Sequence, residues 1–158
     1  MISRKLFIAS LLGLCAMTIP AQPQQRWVVL PQTEAKTLIG TEVLGLPGKI
    51  TGTWEPKQDD VAGMEASFHQ ISDLSRKGFS GRQVGDPARY FRQYLGLLQG
   101  DRKLIYLNAF CGFNNNSLAP KNWREHLVVI YDGGSCVWRA IFDVSTKRFV
   151  SLSVNGFA

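Results

Sequence analysis

From Trp54 onward the apolar positions follow two rhythms in turn. Val61, Met64, Phe68, Ile71 and Leu74 recur at intervals of three and four, which places them on one stripe of an amphipathic helix. Asp59 and Asp60 stand in its first turn, where the helix dipole favours negative charge, and Arg76-Lys77-Gly78 supplies the matching basic end and the stop. Gly63 weakens the first turns by about 1 kcal/mol relative to alanine, so this helix depends on packing.

After a glycine-rich connection over residues 78–87 the period becomes two. Phe91, Gln93, Leu95 and Leu97 alternate with Tyr90, Arg92, Tyr94 and Gly96. Gln99-Gly100-Asp101-Arg102 makes a turn. On the return, Leu104, Tyr106, Asn108 and Phe110 alternate with Ile105, Leu107, Ala109 and Cys111, which completes a hairpin. Residues 112–124, with Asn114-Asn115-Asn116 and Ala119-Pro120, predict a loop. A three-strand meander is then expected over about 126–131, 135–142 and 148–154. Its turns are Asp132-Gly133-Gly134, where glycine allows positive φ, and Asp143-Val144-Ser145-Thr146-Lys147.

The expected fold is α+β: one amphipathic helix packed on a curved antiparallel sheet of about five strands, a hairpin plus a three-strand meander. This order of elements resembles the cystatin-like and NTF2-like folds, a likeness of fold that carries no function.

Ahead of this domain, residues 22–53 show no clear period. Trp27-Val28-Val29-Leu30 predicts one short strand, and Leu46-Pro47-Gly48-Lys49-Ile50-Thr51-Gly52 is rich in turn residues. The segment is expected to be a loosely joined N-terminal arm, with residues 54–158 forming the single α+β domain.

Residues 1–21 have the layout of a signal peptide: basic Arg4 and Lys5, the apolar run from Leu6 to Met17, then Thr18-Ile19-Pro20-Ala21 before polar Gln22. The run is shorter than the ~20 residues that span a bilayer core, and Pro20 would break an anchoring helix. Cleavage after Ala21 is expected to leave no transmembrane anchor, and to deliver the protein to the periplasm or the extracellular space. A lipid on Cys15 is the alternative, set against the large Leu14 where a lipoprotein signal wants a small residue.

Loss of Cys15 leaves Cys111 and Cys136, an even pair in an oxidising compartment, and a disulfide is expected; two separate thiols are the alternative. Closing that loop would constrain the unfolded chain by about 3 kcal/mol. The net charge of +6 also falls, to +4, once Arg4 and Lys5 leave with an acid-free signal. Arg76, Lys77, Arg82, Arg89 and Arg92 are expected to form a solvated basic face near an anionic envelope component or an acidic partner protein. Tyr90 and Tyr94 beside Arg92 offer slight stacking capacity, but export argues against nucleic acid.

Trp54-Glu55-Pro56, Tyr94, Asn108-Ala109-Phe110, Asp132-Gly133-Gly134, Trp138, Phe142-Asp143, Phe149, Leu152 and Asn155-Gly156-Phe157-Ala158, in that order, resemble a group of small exported bacterial proteins of unassigned function. The likeness covers roughly residues 50–158 and implies the domain boundary and the exported location. It implies no activity, cofactor or catalytic residue.

Candidate chemistry is sparse. His69 lies off the apolar stripe, and the two cysteines lack metal-ligand spacing, so no metal site is expected. Asp59 and Asp60 are consecutive on a helix and point apart, and no glycine-rich loop has phosphate-cradle spacing. A nucleophile made of Cys111 and His126 fails if Cys111 is in a disulfide.

Two functions of different kinds remain. The first is a non-catalytic binding module of the cell envelope that docks on, or inhibits, another exported protein through a polar loop of Asn114, Asn115, Asn116, Lys121, Trp123 and Arg124. The second is a small-molecule binding protein or enzyme with a pocket between helix and sheet, lined by Tyr106, Asn108 and His126. Neither calls for a cofactor.

Overall fold

The computed structural model describes residues 25–77, 83–112 and 119–156. Residues 1–24, which include the expected signal peptide, and Arg82, Asn114, Asn115, Asn116, Phe157 and Ala158 lie outside the described residues. In chain order the elements are β1 (Trp27–Val29), α1 (Gln32–Lys36), β2 (Gly52–Trp54), α2 (Gln58–Glu65), α3 (His69–Lys77), β3 (Phe91–Gln99), β4 (Arg102–Phe110), β5 (Val137–Asp143) and β6 (Arg148–Val154). Single 3-10 turns lie at Pro87–Arg89 and Gly134–Cys136.

The alternation over residues 90–111 builds the antiparallel pair β3–β4, with Phe91 opposite Phe110 and Gln99 opposite Arg102. Gly100 turns the chain at φ 58°. β5 pairs with β4, and β6 with β5, so β3 to β6 form an antiparallel meander. The free edge of β3 is covered by two short strands end to end. β1 runs parallel along residues 92–94, and β2 antiparallel along residues 96–98. Covering an edge in this way removes a template for unwanted pairing. Where β2 crosses, a Cβ on Gly96 would stand 2.1 Å from the Trp54 carbonyl oxygen and 2.8 Å from Cδ of Pro56, so only glycine fits.

Residues 25–53, expected as a loose arm with one short strand, supply two strands, α1 and the buried side chains of Leu30, Ala35, Val43, Leu46 and Ile50. Their apolar positions show no period because, outside the short elements, they pack onto the sheet one at a time.

The expected single helix is two. Val61, Met64 and Ile71 are fully buried and Phe68 and Leu74 pack beside them, as the stripe requires. Between α2 and α3, however, the hydroxyl of Ser67 donates to the Gly63 carbonyl at 3.2 Å, and the amides of Ser67, Phe68, Gln70 and Ile71 bond three residues back rather than four. Such back-bonding bends helices. The stripe keeps its facing through the break, so its spacing does not reveal it. The Asp60 carboxylate accepts from the Lys57 amide at 2.9 Å and caps the start.

Strand alternation divides the core. Tyr94, Ile105, Leu107, Ala109, Trp138, Ala140 and Phe142 face α2 and α3. Leu95, Leu97, Leu104, Tyr106 and Ile141 face α1 and the apolar residues Val43, Leu46 and Ile50, while Phe91, Phe110 and Val137 enclose Trp123. The sheet is covered on both faces, one layer more than expected.

Residues 126–131 are not a strand of this sheet. β4 pairs directly with β5, and the segment crosses their face instead, for reasons given below. The next turn does use its glycines, Gly133 at φ 93° and Gly134 at φ 54°. Cys111 and Cys136 are bridged, with Cα atoms 5.0 Å apart, and the Cys111 amide donates to the Cys136 carbonyl at 2.8 Å, one step beyond the end of the β4–β5 ladder.

Candidate functional site

A polar row crosses the face opposite α2 and α3: Gln93 on β3 stands opposite Asn108 on β4, which stands opposite Arg139 on β5. Gln93 and Asn108 are completely enclosed. A buried amide is costly unless bonded, and here most of the bonds go to the chain over residues 123–132, while Asn108 Oδ1 has no partner among the described residues. The Gln93 amide nitrogen donates to the carbonyls of Trp123 and His126, and its oxygen accepts from the Val128 amide at 2.8 Å and from Asn108 Nδ2 at 2.9 Å. That fills the four-bond capacity of a glutamine. Asn108 Nδ2 also donates to the Val128 carbonyl at 2.8 Å. Arg139 Nη2 and Asn155 Nδ2 both donate to the Ile130 carbonyl, at 2.9 and 2.6 Å. Side chains thus take the place of a β ladder, and residues 123–132 form a strap.

α1 holds the strap from another direction. Glu34 accepts from the Leu127 amide at 2.8 Å and lies 3.3 Å from His126 Nδ1. The Leu127 hydrogen bond lowers the Glu34 carboxyl below its usual range against the opposing effect of burial, and His126 assists.

A groove of about 380 Å³ opens between the strap and the segment after α1. Leu38, Val43 and Leu44 line one wall, and Leu127, Val129 and Tyr131 the other. Tyr106 and Arg139 reach it from the sheet, and exposed Glu42 also lines it. Tyr106 is only 7% exposed, and among the described residues its hydroxyl has no hydrogen-bond partner. Burial raises the Tyr106 pKa, opposed by the nearby Arg139 charge. Val129 and Tyr131 are 56% and 91% exposed at the strap side.

The described residues of the expected binding loop have different settings. Trp123 is a core residue, packed edge-on to Phe91 and Phe110 at 5.2 and 6.2 Å, so it is no free surface anchor. Arg124 lies 4.4 Å over its ring and donates to the Gln25 carbonyl at 2.8 Å. Lys121 is exposed.

Tyr106 and Asn108 lie on the face away from α2 and α3, not between those helices and the sheet. Of that expected trio, Tyr106 lines the groove, Asn108 grips the strap, and His126 is exposed beside Glu34. Gln93, Arg139 and Asn155 were not among the site residues expected from the sequence. For Gln93 and Arg139 the signal was a polar residue at a position whose alternation neighbours are apolar: Phe91 and Leu95, and Val137 and Ile141.

Arg92 does not belong to a solvated basic face either. It is 5% exposed, 3.2 Å from Glu65, and bonded to the Tyr94 hydroxyl and the Pro87 carbonyl at 2.9 Å each. The Tyr94 hydroxyl donates in turn to Glu65, and burial raises the Tyr94 pKa well above the usual value. This network ties α2 to β3. Arg89 is exposed.

Among the described residues no group of three or more His, Cys, Asp or Glu could hold a metal ion, and no helix is long and apolar enough to cross a membrane. Comparison with known proteins adds no relative: no family model, curated protein or solved structure matches the chain.

Proposed function

We propose that the chain is an exported binding protein whose site is the groove between the strap and residues 38–44, and that its guest has an apolar body. One observation carries this reading: a packed molecule leaves about 380 Å³ open over a buried tyrosine whose hydroxyl has no partner within the described residues. Pockets of this size, mostly apolar with few polar groups, are the usual form of small-molecule sites. The disulfide fits an oxidising compartment, as does the signal-like start of the chain.

The test is titration with Nile red, an uncharged apolar dye. Wild type should show one saturable site, and Val129→Glu, a change at an exposed position, should remove it while the far-ultraviolet circular dichroism stays the same. Identical titrations would refute the site.

A second reading, docking on another exported protein, draws on Ile39, Val129 and Tyr131, apolar side chains left 45%, 56% and 91% exposed. Recovery of one partner from envelope extract by wild type, and its loss with Tyr131→Ser, would favour that reading over a small guest.

A further inference from the structure

We infer that the groove recognises an amphipathic monocarboxylate, with the carboxylate on Arg139 and the Tyr106 hydroxyl and the apolar tail along Leu38, Leu44 and Leu127. The inference rests on the groove being the binding site, and it names what that site selects.

The first support is an uncompensated arginine at the groove; Arg26 is also half-buried without a carboxylate among the described residues, but it lies over the Phe91 ring and not on the groove lining. Arg92 has Glu65 at 3.2 Å and Arg102 has Asp143 at 2.7 Å, whereas Arg139, half-buried at the groove, has no carboxylate within 4.0 Å among the described residues. A cation taken partly out of water without a counter-charge is unfavourable unless something completes it. The second support is independent. Among the described residues the Tyr106 hydroxyl has no acceptor, and Tyr106, a residue only 7% exposed, lines the same groove.

These two donors sit on adjacent strands, with Tyr106 opposite Ile141 and Arg139 opposite Asn108, so they are diagonal neighbours on one face. Arg139 is also fixed in place. Nη1 donates to Asn155 Oδ1 at 3.2 Å and Nη2 to the Ile130 carbonyl at 2.9 Å, which leaves three of the five N–H groups of a guanidinium. A donor pair set before binding spares the cost of ordering it afterwards. Glu42, also on the groove lining, repels an anion from its own side and so sets the head toward Arg139.

Isothermal titration of the full mature chain with decanoate, decanol and decyl phosphate tests the inference. Decanoate should bind one per chain and about tenfold or more tighter than decanol, since a hydrogen bond to a charged group is worth that factor. Tyr106→Phe removes a hydroxyl that bonds nothing in the described protein, so the fold should survive. Decanoate should then weaken several-fold and decanol not at all. Arg139→Gln should bring decanoate to the level of decanol, and Glu42→Gln should tighten decanoate.

Equal binding of decanoate and decanol overturns anion recognition while leaving the groove as an apolar site. Tighter binding of decyl phosphate than decanoate overturns the carboxylate assignment. Failure of all three amphiphiles to bind overturns the groove reading itself. Because Arg139 also holds the strap, an Arg139→Gln protein that unfolds passes the decision to Tyr106→Phe, for which unchanged decanoate affinity counts against the inference.

Discussion

Asn108 Nδ2 donates to the main-chain carbonyl of Val128 at 2.8 Å, a bond from the middle of the sheet to a segment that is not part of it. Together with Gln93 it gives an apolar, β-branched stretch a place to lie without a ladder. The consequence reaches the groove: the strap becomes one of its walls.

Gln93→Leu should therefore release the strap. It strands the carbonyls of Trp123 and His126, the Val128 amide and one Asn108 donor. Each orphaned buried group costs about 1–3 kcal/mol, with partial relief as water enters. We expect about 3 kcal/mol less stability by urea unfolding and faster amide hydrogen exchange over 126–131. Exchange unchanged in that segment would contradict the clamp.

The bridge between Cys111 and Cys136 closes the loop that contains the whole strap, with 25 residues of separation. Replacing both cysteines by alanine should cost about 3 kcal/mol and loosen the strap more than β3. A pair of variants, with and without Gln93→Leu, would show non-additive losses if bridge and clamp restrain the same segment.

The parts of the fold that were legible in the sequence are those where burial imposes a period. β3 and β4 alternate because each face of the sheet meets a different layer, and the helical stripe keeps its facing through the Ser67 break. Residues 126–131 misled because Leu127-Val128-Val129-Ile130-Tyr131 has the composition of a strand, while the partners of its main chain are side chains, which no periodicity reports. The site was half legible. Tyr106 drew attention as a polar residue among apolar ones, but its convergence with Arg139 depends on the β4–β5 register, and the opposite wall comes from a segment with no period at all.

Gly96→Ala should disrupt the covered edge. The new methyl would meet the Trp54 carbonyl at 2.1 Å, a backbone atom that cannot step aside without moving β2. We expect a loss of at least about 2 kcal/mol, with crosslinking or exchange showing β2 detached from β3. A crystal structure of the variant with β2 in register would contradict this.

Glu34 links acidity to the strap. Its carboxyl is lowered from 4.5 mainly by the Leu127 amide, so the charged form is the bonded one. The contribution to stability is present above the unfolded value of 4.5 and lost as pH falls through the lower folded value. In a nuclear magnetic resonance titration, the Leu127 amide shift should move with a midpoint below 4.5, and it should not titrate in this range in Glu34→Gln.

Asp143 governs stability at still lower pH. Burial alone would raise its pKa from 3.8, but the Ser145 hydroxyl, Arg102 and the amides of Thr146 and Ser145 all donate to it and hold it at about 2. The ionised form is thus favoured by folding: the stabilisation is whole above the unfolded value of 3.8 and disappears as pH drops through about 2. Asp143 itself is 2% exposed, though Arg102 is open to solvent, so the difference corresponds to about 2 kcal/mol at most. Asp143→Asn keeps the size and an acceptor oxygen while removing the charge. Its deficit in urea unfolding should be largest near neutrality and should shrink toward zero as pH falls through about 2, where wild type loses the same charge. A deficit independent of pH would mean that the carboxylate acts through shape alone.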